Sequence, residues 1–224
     1  MGGPVVFVSG ADAGFGRALA AGMEERGARM ADLGGVEALS RREGALAAFD
    51  AAAGAAGPAD AVVHAAVDPA ALEAGAVADL DDGRVEIVWE RAMRATLFLM
   101  QAAHRHLAGR GGRIVLVTPT IALSGAAGLA LYASAVEGQR LLAKSAARQW
   151  GSDGITVNCI APSAALLGVD PAALGAVTLS PPALGTSGDV RADIAPVVDF
   201  LVGPAAHWVT GATISLDGGA WLTP

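Results

Sequence analysis

The feature that most constrains this chain is a junction near its start. The apolar run Val5-Val6-Phe7-Val8 leads into Ser9-Gly10-Ala11-Asp12-Ala13-Gly14-Phe15-Gly16, and then into a helical pattern over Arg17–Arg26 that Gly27 ends. A short continuous apolar run bounded by turn residues reads as a strand covered on both faces, and such strands belong to parallel sheets flanked by helices. The glycines permit a tight turn and a close approach of backbone N–H groups to an anion. The helix behind them aims its free N–H groups and positive dipole end at the same place. In a chain with 30 glycines the pattern carries little weight by composition, so its position between strand and helix is what matters.

The same alternation runs through the rest of the chain. Ile114–Val117, bounded by Gly112 and Pro119, reads as a buried strand. It is followed by a small-residue loop and a long helix that Tyr132 enters on its first turn, which runs to Trp150 and is stopped by Gly151 and Ser152-Asp153-Gly154. Strands are expected at Arg29–Leu33, Ala61–Val63, Ile155–Pro162 and within Val209–Gly219, and helices at Val36–Ala53, Trp89–Leu107 and Asp193–Leu201. Residues Ala164–Arg191, rich in Ala, Gly, Pro and Ser with Pro181-Pro182 inside, read as a mobile loop. No linker or repeat divides residues 1–224, so the expectation is one α/β domain with a doubly wound parallel sheet.

Composition narrows the functional classes. The chain is 53% hydrophobic and only 17% charged, against a usual charged share of about 25%, which favours further surface buried in an oligomer. A formal net charge of −7 with scattered basic residues argues against a nucleic-acid partner. A single cysteine, Cys159, excludes a disulfide framework and a multi-thiol metal site. The run Ile114–Val136 carries no formal charge and reaches the length of a membrane span, about 20 residues. Pro119, Ser124 and its glycines break it into strand and loop, so no membrane partner and a cytoplasmic location are expected.

The helix carrying Tyr132, the glycine turn and the ending Thr210-Gly211…Asp217-Gly218-Gly219 together resemble the short-chain dehydrogenase/reductase family. That resemblance implies a Rossmann-type fold over most of the chain and an NAD(P)-dependent oxidoreductase site. The turn follows the family spacing, with Ser9 where a Thr is usual; Ser9, Gly10, Gly14, Phe15 and Gly16 are the implied cofactor-binding residues and Tyr132 the implied catalytic residue. The family's other catalytic groups are replaced. Its Lys, four residues after the Tyr, is Val136; its Ser, thirteen before, is Pro119, flanked by Thr118 and Thr120; its Asn falls at Ala92, and the only asparagine, Asn158, lies elsewhere. Lys144, the only lysine, lies about 18 Å beyond Tyr132 along the helix axis, and Arg140 about 12 Å.

Two further departures concern the nucleotide. Between Asp32 and Asp60 the chain has room for one helical segment where the family has a further strand and helix, so the sheet is expected to be one βα unit short. Asp32 is the only candidate for the acidic residue that binds the adenosine ribose, though Gly34 stands nearer the family's position, and a strand-end or turn role suits Asp32 better. Where the family has Asn-Asn-Ala-Gly, this chain has His64-Ala65-Ala66-Val67. Val67 crowds the approach of a ribose, and His64 reads as a hydrogen-bonded structural histidine or, alternatively, a general base.

The expectation that follows is a catalytically degenerate family member with weak or no NAD(P) binding, acting as the non-catalytic subunit of a heteromer with an active short-chain dehydrogenase/reductase. The alternatives are a divergent NAD(P)-dependent oxidoreductase using Tyr132, and a small-molecule binding protein that has lost the nucleotide. No metal is expected.

Overall fold

The computed structural model describes residues 2–169 and 180–222. Six strands form one parallel sheet in the order β2-β1-β3-β4-β5-β6: β1 Val5–Ser9, β2 Arg29–Asp32, β3 Ala61–His64, β4 Gly112–Val117, β5 Ile155–Pro162 and β6 Thr213–Leu216. The helices between them are α1 Gly14–Glu24, α2 Val36–Leu39, α3 Arg42–Ala56, α4 Asp82–Arg84, α5 Arg91–Leu107, α6 Ile121–Ser124, α7 Ala130–Trp150 and α8 Ala195–Val202. A π-helical turn, Val85–Glu90, joins α4 to α5.

Strand periodicity explains the layering. Val5 and Phe7 point to one side with Val62, Ile114, Leu116 and Val157, where α3, α5 and α7 cover them through Phe49, Leu99 and Ala143. Val6 and Val8 point to the other with Val63, Val115 and Ile160, under Leu19 and Met23 of α1 and Val198 and Leu201 of α8. Both faces are covered, so the strands are continuous apolar runs rather than alternating ones.

The sheet departs from sequence expectation in detail. The segment expected as one helix over Val36–Ala53 is two, α2 and α3, separated by Ser40 and Arg41. Neither is a strand, and among the described residues the sheet has no strand outside β2, so the expected shortening by one βα unit holds there. The last strand is confined to Thr213–Leu216, because Thr210 and Gly211 are held by β5 through Thr210 Oγ1 and the Gly211 N–H. Part of the expected loop Ala164–Arg191 lies outside the described residues. Among the described residues, no helix is long and apolar enough to cross a membrane. The uncharged run that suggested a span is β4, α6 and the start of α7.

The order of strands sets the place of the site. The chain leaves β1 toward β2 on one side and returns to β3 on the other, so the carboxyl ends of β1 and β3 flank a switch point, where sheets of this type leave a crevice.

Candidate functional site

A cavity of about 470 Å³ opens at that switch point. Gly10, Gly14, Phe15 and Gly16 line it together with Gly35–Glu37 on one flank and Ala65–Pro69 and Leu72 on the other. The turn at its base is fixed by close packing. A Cβ at Gly16 would lie 2.0 Å from the Gly10 carbonyl oxygen, and one at Gly10 would lie 2.8 Å from the Ala66 Cα. Gly14, at φ +51°, instead faces open space with nothing within 4 Å. Helix α1 starts there with no side-chain cap at Ala13 and no acid in its first turn, so its first N–H groups are left to the crevice. This end suits a phosphate.

Four of the five residues expected to bind a cofactor therefore line the cavity; Ser9 does not. Its hydroxyl is buried beneath the floor, accepting from the N–H groups of Ala65 and Ala66 at 3.1 and 3.2 Å and lying 2.7 Å from His64 Nδ1. His64 Nε2 lies 3.0 Å from Thr96 Oγ1, whose hydroxyl donates to the Ala92 carbonyl. Only one set of protons satisfies every group: Ser9 donates to Nδ1, and Nε2–H donates to Thr96. Burial pulls the His64 pKa down from 6.5 to about 4, so the ring is neutral and both nitrogens are engaged. The general-base reading of His64 is thereby corrected in favour of the structural one. The partner Thr96 was not singled out from sequence; its place one turn beyond Ala92 on an otherwise apolar helix face was the available signal.

Asp32 takes the turn role. Its carboxylate accepts from the N–H groups of Ala11 and Gly34 and ties the end of β2 to the glycine turn.

The catalytic half of the site is closed. Tyr132 is 5% exposed within an apolar cluster that includes Ile121, Ala122, Leu129, Val136, Ala164 and Val169, with Val67 and Leu72 packed against it. Desolvation raises the phenol pKa well above its usual 10, the opposite of what a neighbouring ammonium would do. Val136, one turn on and 2% exposed, is part of the same cluster. Thr118 and Thr120 do not supply a free hydroxyl donor in place of Pro119, because they donate to the carbonyls of Ile160 and Pro162. Arg140 pairs with Glu137 on its own helix, and Lys144 is exposed beside Arg148 and Thr210. Among the described residues, neither Arg140 nor Lys144 is brought to Tyr132.

Comparison with known proteins agrees with this architecture. A family model described as enoyl-(acyl carrier protein) reductase matches residues 36–220. A 3-oxoacyl-[acyl-carrier-protein] reductase of Vibrio harveyi is 38% identical over 116 residues, covering 50% of this chain and 47% of that protein. An NADPH-dependent aldehyde reductase-like protein of Arabidopsis thaliana is 32% identical over 130 residues, 56% of this chain and 47% of that one. The chain thus spans about half the length of these curated relatives. Among solved structures, the 3-ketoacyl-(acyl-carrier-protein) reductase of Brucella melitensis complexed with NADH superposes with a TM-score of 0.84 at 21% identity, over 98% of this chain and 99% of that one. A short-chain dehydrogenase/reductase of Serratia marcescens gives 0.78 at 26% identity, over 96% of each chain.

Proposed function

Because the chain belongs to the short-chain dehydrogenase/reductase family, we propose that it serves NAD(P)-dependent oxidoreduction as a non-catalytic subunit, paired with an active homologue that supplies the tyrosine and lysine. The observation that carries this reading is the sealing of Tyr132 among aliphatic side chains, with Val136 at the turn where the family places its ammonium. A phenol there can neither ionise at neutral pH nor be recharged by a neighbour, and proton transfer to a ketone oxygen needs contact with the substrate.

An assembly role is supported by what the surface retains. Trp89 just before α5, Leu97 on α5 and Leu141 on α7 are exposed, Leu141 by 65%. They lie on or beside the two long helices that the family uses to assemble. In this reading the cytoplasmic chain completes the helix packing of a heteromer.

The fit of a dinucleotide to this crevice is uneven. Gly14 and the uncapped start of α1 would hold the pyrophosphate through backbone N–H groups, but the lining carries Asp12, Glu37 and Asp68 and no Lys or Arg. The rest of the lining is largely apolar and includes Val67, Leu72 and Leu167. No step of a reaction is assigned to this chain's own site.

The test is co-expression with homologues from the same host, followed by mass measurement in solution and an NAD(P)H oxidation assay. A mixed oligomer in which only the homologue's tyrosine is needed is the expected result. Turnover by this chain alone, abolished by Tyr132→Phe, would overturn the reading in favour of a divergent oxidoreductase.

A further inference from the structure

Resting on the subunit reading above, we infer that the outer face of α5 and α7 is a docking surface for a partner whose matching helix face is acidic. The same charge keeps this face from pairing with a second copy of the chain.

The chain's charge is divided unevenly. Helices α5 and α7 hold six of its 15 basic residues, Arg91, Arg94, Arg105, Arg140, Lys144 and Arg148, and one of its 22 acids, Glu137, a formal +5 in a chain of −7. Two of the six are matched locally, Arg94 by Glu90 just before α5 and Arg140 by Glu137 on its own helix. Among the described residues, Arg91, Arg105, Lys144 and Arg148 have no carboxylate within 4 Å. The last three are exposed.

These cations share a surface with exposed apolar side chains. The two helices lie side by side and parallel: a Cβ at Gly138 would lie 2.9 Å from the Met93 sulfur, Gln139 donates to the Ala92 carbonyl, and farther along the His104 and Trp150 rings lie 4.8 Å apart. Leu97 and Leu141 are exposed on this pair. Arg105 follows Leu97 by about two turns, and Lys144 and Arg148 follow Leu141 by about one and two, spacings that keep each set on one side of its helix. An apolar patch bordered by charge has the make-up of a protein interface. A nucleic acid offers no counterpart to the leucines, and a chain of −7 repels it.

A second copy is the wrong occupant. Two-fold pairing sets a patch against itself, so the unmatched cations would face their own kind, the arrangement by which interfaces reject wrong partners. An acidic face gains from the same cations. The homologue of the proposed heteromer therefore carries Asp or Glu opposite Arg105, Lys144 and Arg148.

The experiment measures association of the purified full chain with itself and with each short-chain homologue of its host, by sedimentation at about 50 and about 500 mM salt, where surface charge is weakly and strongly screened. The natural chain is compared with Lys144→Glu/Arg148→Glu and Lys144→Gln/Arg148→Gln, both checked for folding by melting temperature. The natural chain should pair with an acidic-faced homologue; at low salt the Glu variant should bind it at least about tenfold more weakly with the Gln variant between, and at high salt the difference should shrink below about twofold. Pairing that neither variants nor salt change would overturn the charge selection and leave the subunit reading standing. A homodimer of the natural chain that Leu141→Asp splits would overturn it as well, as would binding of a DNA duplex or anionic vesicles that the Glu variant loses. Absence of pairing with every homologue would defeat both. Charge-dependent pairing by a chain that itself turns over NADH, with turnover abolished by Tyr132→Phe, would defeat the non-catalytic reading and leave the acidic partner standing.

Discussion

Ser9 Oγ lies 2.7 Å from His64 Nδ1, directly across the switch point between β1 and β3, where the two residues are register partners in the sheet. The pair ties the glycine turn to the start of the other cavity flank, since the same hydroxyl receives the Ala65 and Ala66 N–H groups. Thr96 continues the chain to helix α5.

Removing the hydroxyl leaves three groups unpaired, the buried Ala65 N–H and His64 Nδ1 and the partly buried Ala66 N–H. Ser9→Ala is expected to cost about 3 kcal/mol of stability, with each buried unsatisfied group contributing about 1–3 kcal/mol before local relaxation. Urea denaturation should show a lower midpoint, whereas Ser9→Thr should recover most of it.

His64 makes stability depend on pH. Its folded pKa is depressed to about 4 from 6.5, so between those values the unfolded chain binds the proton and the folded chain does not. The stabilising effect is complete above about pH 6.5 and is lost as pH falls toward 4, a change of about 3 kcal/mol at most. Denaturation midpoints at pH 7, 5.5 and 4.5 should fall for the natural chain and fall less for His64→Asn, which keeps a donor and an acceptor but does not titrate.

Tyr132 is the only tyrosine, so its ionisation can be read without interference from another phenol. Burial raises its pKa above the usual 10. Absorbance near 295 nm should therefore stay flat through pH 11 and rise only as the protein unfolds. A reversible rise centred near pH 10 in the folded protein would show that the phenol is solvated and the cluster open.

Rebuilding the family's residues should not rebuild the enzyme. Val136→Lys places an ammonium inside the apolar cluster around Tyr132, which should cost several kcal/mol, of order 3 or more, unless the lysine deprotonates. Combined with Pro119→Ser, the variant should melt earlier and oxidise no NAD(P)H detectably. Measurable turnover would mean that the crevice opens more readily than its packing implies.

Glycine packing at the turn gives a stability check independent of function. Gly16→Ala forces a Cβ to 2.0 Å from the Gly10 carbonyl oxygen, and overpacking of this kind costs about 1–3 kcal/mol. Gly35→Ala, where a Cβ meets nothing within 4 Å, should change the melting temperature little by comparison.

The sequence by itself determined the layers, because burial on two faces demands apolar runs such as Val5–Val8 and Ile114–Val117. It also determined the sheet's shortness: Val36 to Ala56 holds no run that reads as a strand, and a strand absent from the chain cannot be supplied by folding. The losses at Pro119, Val136 and Ala92 were legible for the same reason, since a missing functional group is a property of residue type. What only the tertiary structure decided was which polar groups satisfy one another and which cavity walls meet. Thr96 lies 32 positions from His64, and Ser9 55, so the chain that removes Ser9 from the ligand surface exists only once α5 is laid against β3. The closure over Tyr132 is likewise non-local: Val67 and Leu72 come from the segment after β3, Val136 from α7 and Val169 from beyond β5. No local pattern records that contact, because it depends on the switch point bringing these segments to one end of the sheet.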